Sequence, residues 1–117
     1  MKNNIIAIID ESIQLKELIK DQLVDQIFLV CMLLFDTIKK GNKIYICGNG
    51  GSAADAQHFA AELIVKYKNE RNSIPCIALT SNTSVLTACA NDYSFDKIFS
   101  RQIEGLGKPG DIFIGIS

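Results

Sequence analysis

The only histidine of the chain, His58, is followed four residues later by Glu62. On a helix, residues four apart share a face, so the imidazole and the carboxylate can point at one spot. Such a pair could supply two ligands to a metal, or a base with its orienting partner. Asp55 and Lys66 continue the same polar face. A solvated stripe with a Glu62–Lys66 ion pair is the structural alternative.

Just before this helix stands Gly48-Asn49-Gly50-Gly51-Ser52. Glycines allow positive φ and let the backbone approach a ligand closely. Amides at a helix start, with the helix dipole behind them, favour anions and phosphate above all. Ser52 is the expected N-cap, with Asp55 completing a capping-box-like pair. The loop is neither a Walker A sequence nor G-x-G-x-x-G. A tight, well-capped strand-to-helix turn would read the same way. Thr80-Ser81-Asn82-Thr83-Ser84 forms a second polar loop suited to a sugar or phosphate, and Asn91-Asp92 closes a short helix. Ordinary turn and cap chemistry accounts for both when each is taken alone.

The elements that must position these groups follow from periodicity. Residues 1–40 read as two helices, with Leu23, Ile27, Val30, Leu34 and Ile38 at helical spacing in the second. The apolar run Ile27 to Phe35 predicts a helix buried on most sides, packed against another helix pair of this or another subunit, and Gly41 is the expected stop. Then come a strand over 43–47, a helix over 53–68, a strand over 76–80, a short helix over 84–90, a helix over 95–106 and a strand over 111–116. Ala56, Phe59, Ala60, Leu63 and Tyr67 form the helical stripe expected to pack on the sheet. Continuously apolar strands alternating with helices predict a parallel sheet with right-handed crossovers. In such a sheet ligands bind beyond the carboxyl ends of the strands, which is where Ser117 follows the third strand. Three strands are few, so the expectation is the first part of a longer domain.

Composition narrows the function classes. The 117 residues carry 12 Lys plus Arg against 13 Asp plus Glu, a formal net charge of −1, which gives no support for nucleic-acid binding through bulk charge. No apolar run is long enough to cross a membrane, and the N-terminus lacks a signal-peptide pattern. One histidine excludes a self-contained site needing two. Cys31, Cys47, Cys76 and Cys89 are widely spaced with no C-x-x-C pair and sit among apolar neighbours, so buried reduced thiols of a cytoplasmic protein are expected, with disulfides or a cysteine zinc site as the alternative.

Taken as one string, Cys47 to Leu63 (CGNGGSAADAQHFAAEL) is far more specific than its parts. It resembles the first signature of bacterial phosphoheptose isomerases, a branch of the SIS sugar-isomerase fold. Ala90-Asn91-Asp92-Tyr93-Ser94-Phe95, Phe99-Ser100-Arg101-Gln102 and Gly107 through Ser117 resemble the family's following blocks. The resemblance spans roughly residues 40–117, with a compatible helical N-terminus.

It implies an α/β fold: a flavodoxin-like, three-layer αβα parallel sheet preceded by two helices, incomplete here. Residues 1–40 would be the N-terminal helical segment and 41–117 the first part of one SIS domain. It implies a cytoplasmic homotetramer converting sedoheptulose 7-phosphate to D-glycero-D-manno-heptose 7-phosphate, for nucleotide-activated heptose in lipopolysaccharide or capsule. By the family pattern, Asn49, Gly50, Gly51, Ser52, Asn91 and Asp92 bind substrate, and Ser117 opens the phosphate loop. His58 and Glu62 match zinc-ligand positions, and Glu62 also matches the catalytic acid/base and touches substrate. The other zinc ligands, a glutamine and a histidine, belong to a C-terminal part outside this sequence. Lys66 departs from the arginine that many members carry, which keeps charge but not fork geometry. The alternative is a non-enzymatic SIS-domain protein that binds a replication initiator, or a sugar phosphate as a regulator.

Overall fold

The computed structural model describes every residue from Met1 to Ser117. The chain forms two compact units, Met1–Phe35 and Asp36–Ser117.

The first unit is helical. Helix α1 runs Lys2–Gln22 and helix α2 runs Val24–Lys39, reaching into the second unit. They are joined at Leu23, whose amide bonds to the carbonyl of Ile19. The expected burial of α2 on most sides is not met within one chain. Phe28, Leu29 and Leu33 are all more than half exposed, and no residue of this unit is buried. The unit lacks any further element to lie against these side chains, so an apolar surface much larger than single scattered residues stays open. Cys31 lies on it and is exposed, against the expectation that all four thiols are buried; Cys47, Cys76 and Cys89 are buried, and all four are unpaired. No helix is long and apolar enough to cross a membrane.

The second unit opens where Gly41, at φ +80°, ends the helix as expected. Strand β1 (Ile44–Gly48), helix α3 (Gly51–Ile64), strand β2 (Cys76–Ala78), helix α4 (Thr83–Asp92), a 3-10 turn (Phe95–Lys97), helix α5 (Ser100–Leu106) and strand β3 (Ile112–Ile116) follow. The sheet order is β2-β1-β3, all parallel, with Ile44 opposite both Cys76 and Ile112. The crossover through α3 and the one through α4 and α5 run in opposite directions along the sheet. Right-handed connections therefore place them on opposite faces. Every residue of β1 is buried, as a central strand covered on both sides requires.

Alternation along β1 separates the two faces. Tyr45 and Cys47 join Leu79, Phe99 and Ile103 in one cluster, while Ile44 and Ile46 point the other way. The Tyr45 hydroxyl donates to the Leu106 carbonyl at 2.7 Å, which ties the end of α5 to the central strand. Burial, then the negative charge of Asp111, raise the Tyr45 pKa above its ordinary value. Asp111 in turn accepts from the amides of Lys43 and Lys108, at 2.8 and 2.9 Å, and closes the turn before β3 onto the start of β1.

Several boundaries differ from the sequence reading. Helix α3 starts two residues before Ala53 and stops at Ile64, so Tyr67 lies beyond the helix and is exposed instead of packing on the sheet. Helix α4 is longer than 84–90: it starts at Thr83, where the Asn82 side chain caps it by accepting from the Val85 amide, and runs on to Asp92. The expected helix over 95–106 is broken into the 3-10 turn and α5.

Candidate functional site

Parallel topology brings the carboxyl ends of the strands to one edge. Gly48 pairs with Ile116, so Asn49 and Ser117 leave the sheet side by side. The Leu79 amide bonds to the Ile46 carbonyl, which brings the Thr80–Asn82 loop to the same edge. The first crossover carries the chain from β1 to β2 on one side and the second carries it back past β1 to β3 on the other, so the topological switch lies between β1 and β3, where open sheets of this kind take ligands. Asn49 and Ser117 are the residues that flank it.

The glycine loop turns sharply through Gly50, at φ +57° and ψ −123°, a region that L side chains avoid. The amides of Ser52 and Ala53 bond to the carbonyls of Asn49 and Gly50. The helix is thus nucleated by backbone alone. Ser52 lies inside the first turn, and the residue at the cap is Gly50 with no side-chain bond, which corrects the expected serine cap. Gly48 is sterically locked: a Cβ there would stand 2.6 Å from the Ser52 carbonyl oxygen.

Beside this loop is a hollow of about 230 Å³. Gly48, Asn49, Gly50 and Ala53 form one wall, Thr80 and helix α4 (Leu86, Thr87, Ala90) another, and Phe95, Ile98 and Phe99 the floor. The Thr80 hydroxyl is turned toward the Ala53 carbonyl at 3.4 Å. The lining is mostly apolar with a few polar groups, as small-molecule sites are. Thr87, Leu86 and the two phenylalanines were not among the sequence candidates. Nothing in the sequence marks them as lining, and only the fold turns them toward the glycine loop.

Further along α3, the pair predicted from spacing is formed. His58 Nε2 stands 3.4 Å from Glu62 Oε1. The Glu62 side chain is 31% exposed against 76% for His58, so the carboxylate is the more sheltered of the two. Lys66 does not reach Glu62 and pairs with Glu70 at 2.5 Å, so the Glu62–Lys66 ion pair of the structural alternative is not formed. Neither Glu62 nor His58 lines the hollow. At the far end of α4, the Asn91 amide donates to the Asp92 carboxylate at 2.9 Å, and both side chains are exposed one step beyond Ala90 of the hollow.

The chemistry of this donor set suits a divalent metal in part. His58 and Glu62 can converge on one ion from adjacent turns. No group of three or more His, Cys, Asp or Glu side chains exists to complete a coordination shell.

A parallel α/β sheet with a glycine-lined turn at its switch point defines a class, and the chain belongs to the SIS domain family, whose pattern matches residues 8–117. It is 52% identical over its whole length to the phosphoheptose isomerase of Clostridium acetobutylicum, covering 61% of that protein. It is 48% identical, again over its whole length, to the phosphoheptose isomerase of Akkermansia muciniphila, of which it covers 59%. Among solved structures, the phosphoheptose isomerase of Neisseria gonorrhoeae superposes with a TM-score of 0.91 at 42% identity, covering 99% of this chain and 60% of that one. The enzyme from Francisella tularensis gives 0.93 at 34% identity, covering 98% and 60%. The chain therefore spans about 60% of the length of these relatives.

Proposed function

We propose that the protein is a sugar-phosphate isomerase that interconverts sedoheptulose 7-phosphate and D-glycero-D-manno-heptose 7-phosphate in the cytoplasm, for nucleotide-activated heptose. The observation that carries the reading is the His58–Glu62 pair, set on the helix that leaves the glycine turn of an SIS sheet. Its immediate relatives bear the name phosphoheptose isomerase.

The reaction moves one proton from C1 of the ketose to C2 of the aldose through an enediol. In this reading the Glu62 carboxylate takes the proton from C1 and returns it to C2, while the hydroxyl proton passes from O1 to O2. Asn49 and the backbone of Gly50 and Gly51 hold the sugar, with Ser52, Asn91 and Asp92 as further polar contacts. Ser117 contributes to phosphate binding at the switch point, where helix-start amides favour an anion. Zinc is proposed as the cofactor, held by His58 and Glu62 with donors from outside this sequence. It would supply Lewis-acid stabilisation of the enediolate oxygen. A homotetramer is proposed as the assembly, with the open apolar surface of α1 and α2 as its contact.

Glu62→Gln in the full-length protein tests the reading. Substrate binding should persist while turnover falls about a hundredfold or more, the scale of a lost general base. Undiminished turnover of sedoheptulose 7-phosphate would remove Glu62 from the chemistry.

A further inference from the structure

The last turn of α3 is held by a residue outside the helix. A helix leaves its final carbonyls without intrahelical partners. Here each of the last turn's leading carbonyls is taken in order. The Ala61 carbonyl accepts from the Val65 amide at 2.9 Å, and the Leu63 carbonyl accepts from the Ile74 amide at 3.0 Å. Between them, the Glu62 carbonyl accepts from Arg71 Nη2 at 2.6 Å. The same guanidinium donates through Nη1 to the Asn72 carbonyl at 2.9 Å, which fixes the loop from which it reaches. Arg71 is half-buried in a stretch whose neighbours Lys68, Asn69, Glu70 and Asn72 are exposed.

We infer that Arg71 is a positioning residue for Glu62, resting on the reading above that Glu62 moves the proton. The guanidinium grips the backbone of the residue whose carboxylate acts and joins it to the returning loop. It also sets a permanent cation at the negative end of the α3 dipole, where a cation stabilises the turn. Loss of this grip leaves the Glu62 carbonyl to water and frees the last turn to fray. A carboxylate displaced by about 1 Å from its reacting proton can lose on the order of a hundredfold in rate. A planar fork that bonds two carbonyls at once is not matched by an ammonium, so lysine should restore the function only in part.

The test uses the full-length protein with Arg71→Met and Arg71→Lys, measured by steady-state kinetics and by hydrogen exchange at the Val65 amide. The expected result for Arg71→Met is a kcat lower by about ten- to a hundredfold with KM within about twofold, and faster exchange at Val65. Arg71→Lys should fall between it and the wild type in both. A wild-type kcat in Arg71→Met, or a loss of kcat with unchanged Val65 exchange and no recovery in Arg71→Lys, would overturn the assignment. If Arg71→Met does not fold, Arg71→Gln replaces it, and its retaining full kcat would overturn the assignment equally. Absence of sedoheptulose 7-phosphate turnover in the wild type would defeat the isomerase reading alone. Val65 exchange then decides on Arg71 by itself, and unchanged exchange in Arg71→Met overturns the inference.

Discussion

Three glycines in one loop should respond to alanine in three different ways, because each is glycine for a different reason. At Gly48 the backbone φ is ordinary, but a new Cβ would lie 2.6 Å from both the Cβ and the carbonyl oxygen of Ser52 and 2.7 Å from its carbonyl carbon. Two of these are backbone atoms of the first turn of α3, so no rotamer change relieves the clash. Either the strand end or the helix start must move. Overpacking of this kind costs about 1–3 kcal/mol, and a clash against backbone belongs at the upper end. At Gly50 a Cβ meets nothing within 4 Å, yet φ is +57°. With ψ at −123° this is not the left-handed helical region, and the cost is conformational strain alone, about 1–3 kcal/mol. At Gly51 the space is open and φ is not positive, in the first residue of a helix. Alanine there should be neutral or stabilising by about 0.4–1 kcal/mol, because it restricts the unfolded chain. Urea denaturation of the three variants in the full-length protein should place Gly48→Ala and Gly50→Ala both below Gly51→Ala. Substrate affinity should fall in Gly51→Ala even though stability does not, since the methyl group enters the space proposed for the sugar. Equal stabilities for Gly48→Ala and Gly51→Ala would refute the reasoning, as they would deny the close approach of β1 to α3.

Two further outcomes follow from the titrating groups. The Asp111 pKa is held below its ordinary 3.8, first by the Lys43 amide and then by the Lys108 amide. A lowered folded-state value means stability that is fully present above the ordinary value and is lost as pH falls through the lowered one. Asp111→Asn should therefore be less stable than the wild type at neutral pH, with the gap closing as pH drops below about 4; a gap that is constant with pH in urea titrations would contradict this. Burial pushes the Cys76 thiol up to about 11 and also raises Cys47. Cys47, Cys76 and Cys89 should resist dithionitrobenzoate at neutral pH until denaturant is added. Reaction of any of the three in the native protein would contradict their burial, while the rate at Cys31 reports whether the open face of α2 is covered.

The sequence reveals most where a feature depends on neighbours in the chain. The meeting of His58 and Glu62 needs only helical spacing, and it is formed. The strands were legible from apolar runs bounded by polar loops, and their parallel pairing from the helices between them. What escaped depends on the backbone path or on distant partners. Ser52 looked like a cap because serine usually is one. Gly50 makes the turn itself, so the helix begins earlier and the hydroxyl has no cap to fill. Arg71 looked like one more charge in a polar loop, since nothing local marks a guanidinium that bonds back across nine positions to the Glu62 carbonyl. The apolar run of α2 implied burial, a sound inference from its residues, but within a single chain no element covers it.

The edge at which Asn49 and Ser117 emerge was legible for a different reason. Neither residue carries a distinctive signal of its own. Their adjacency follows from topology, because the order β2-β1-β3 makes β1 and β3 parallel neighbours whose carboxyl ends share one edge, with their flanking helices on opposite faces. The register Gly48 to Ile116 then places the glycine turn and the residue after β3 at the same height. A phosphate-binding reading of Ser117 thus rests on strand order as much as on the hydroxyl. A one-residue shift of β3 would leave the serine at the edge but turn its side chain to the opposite face.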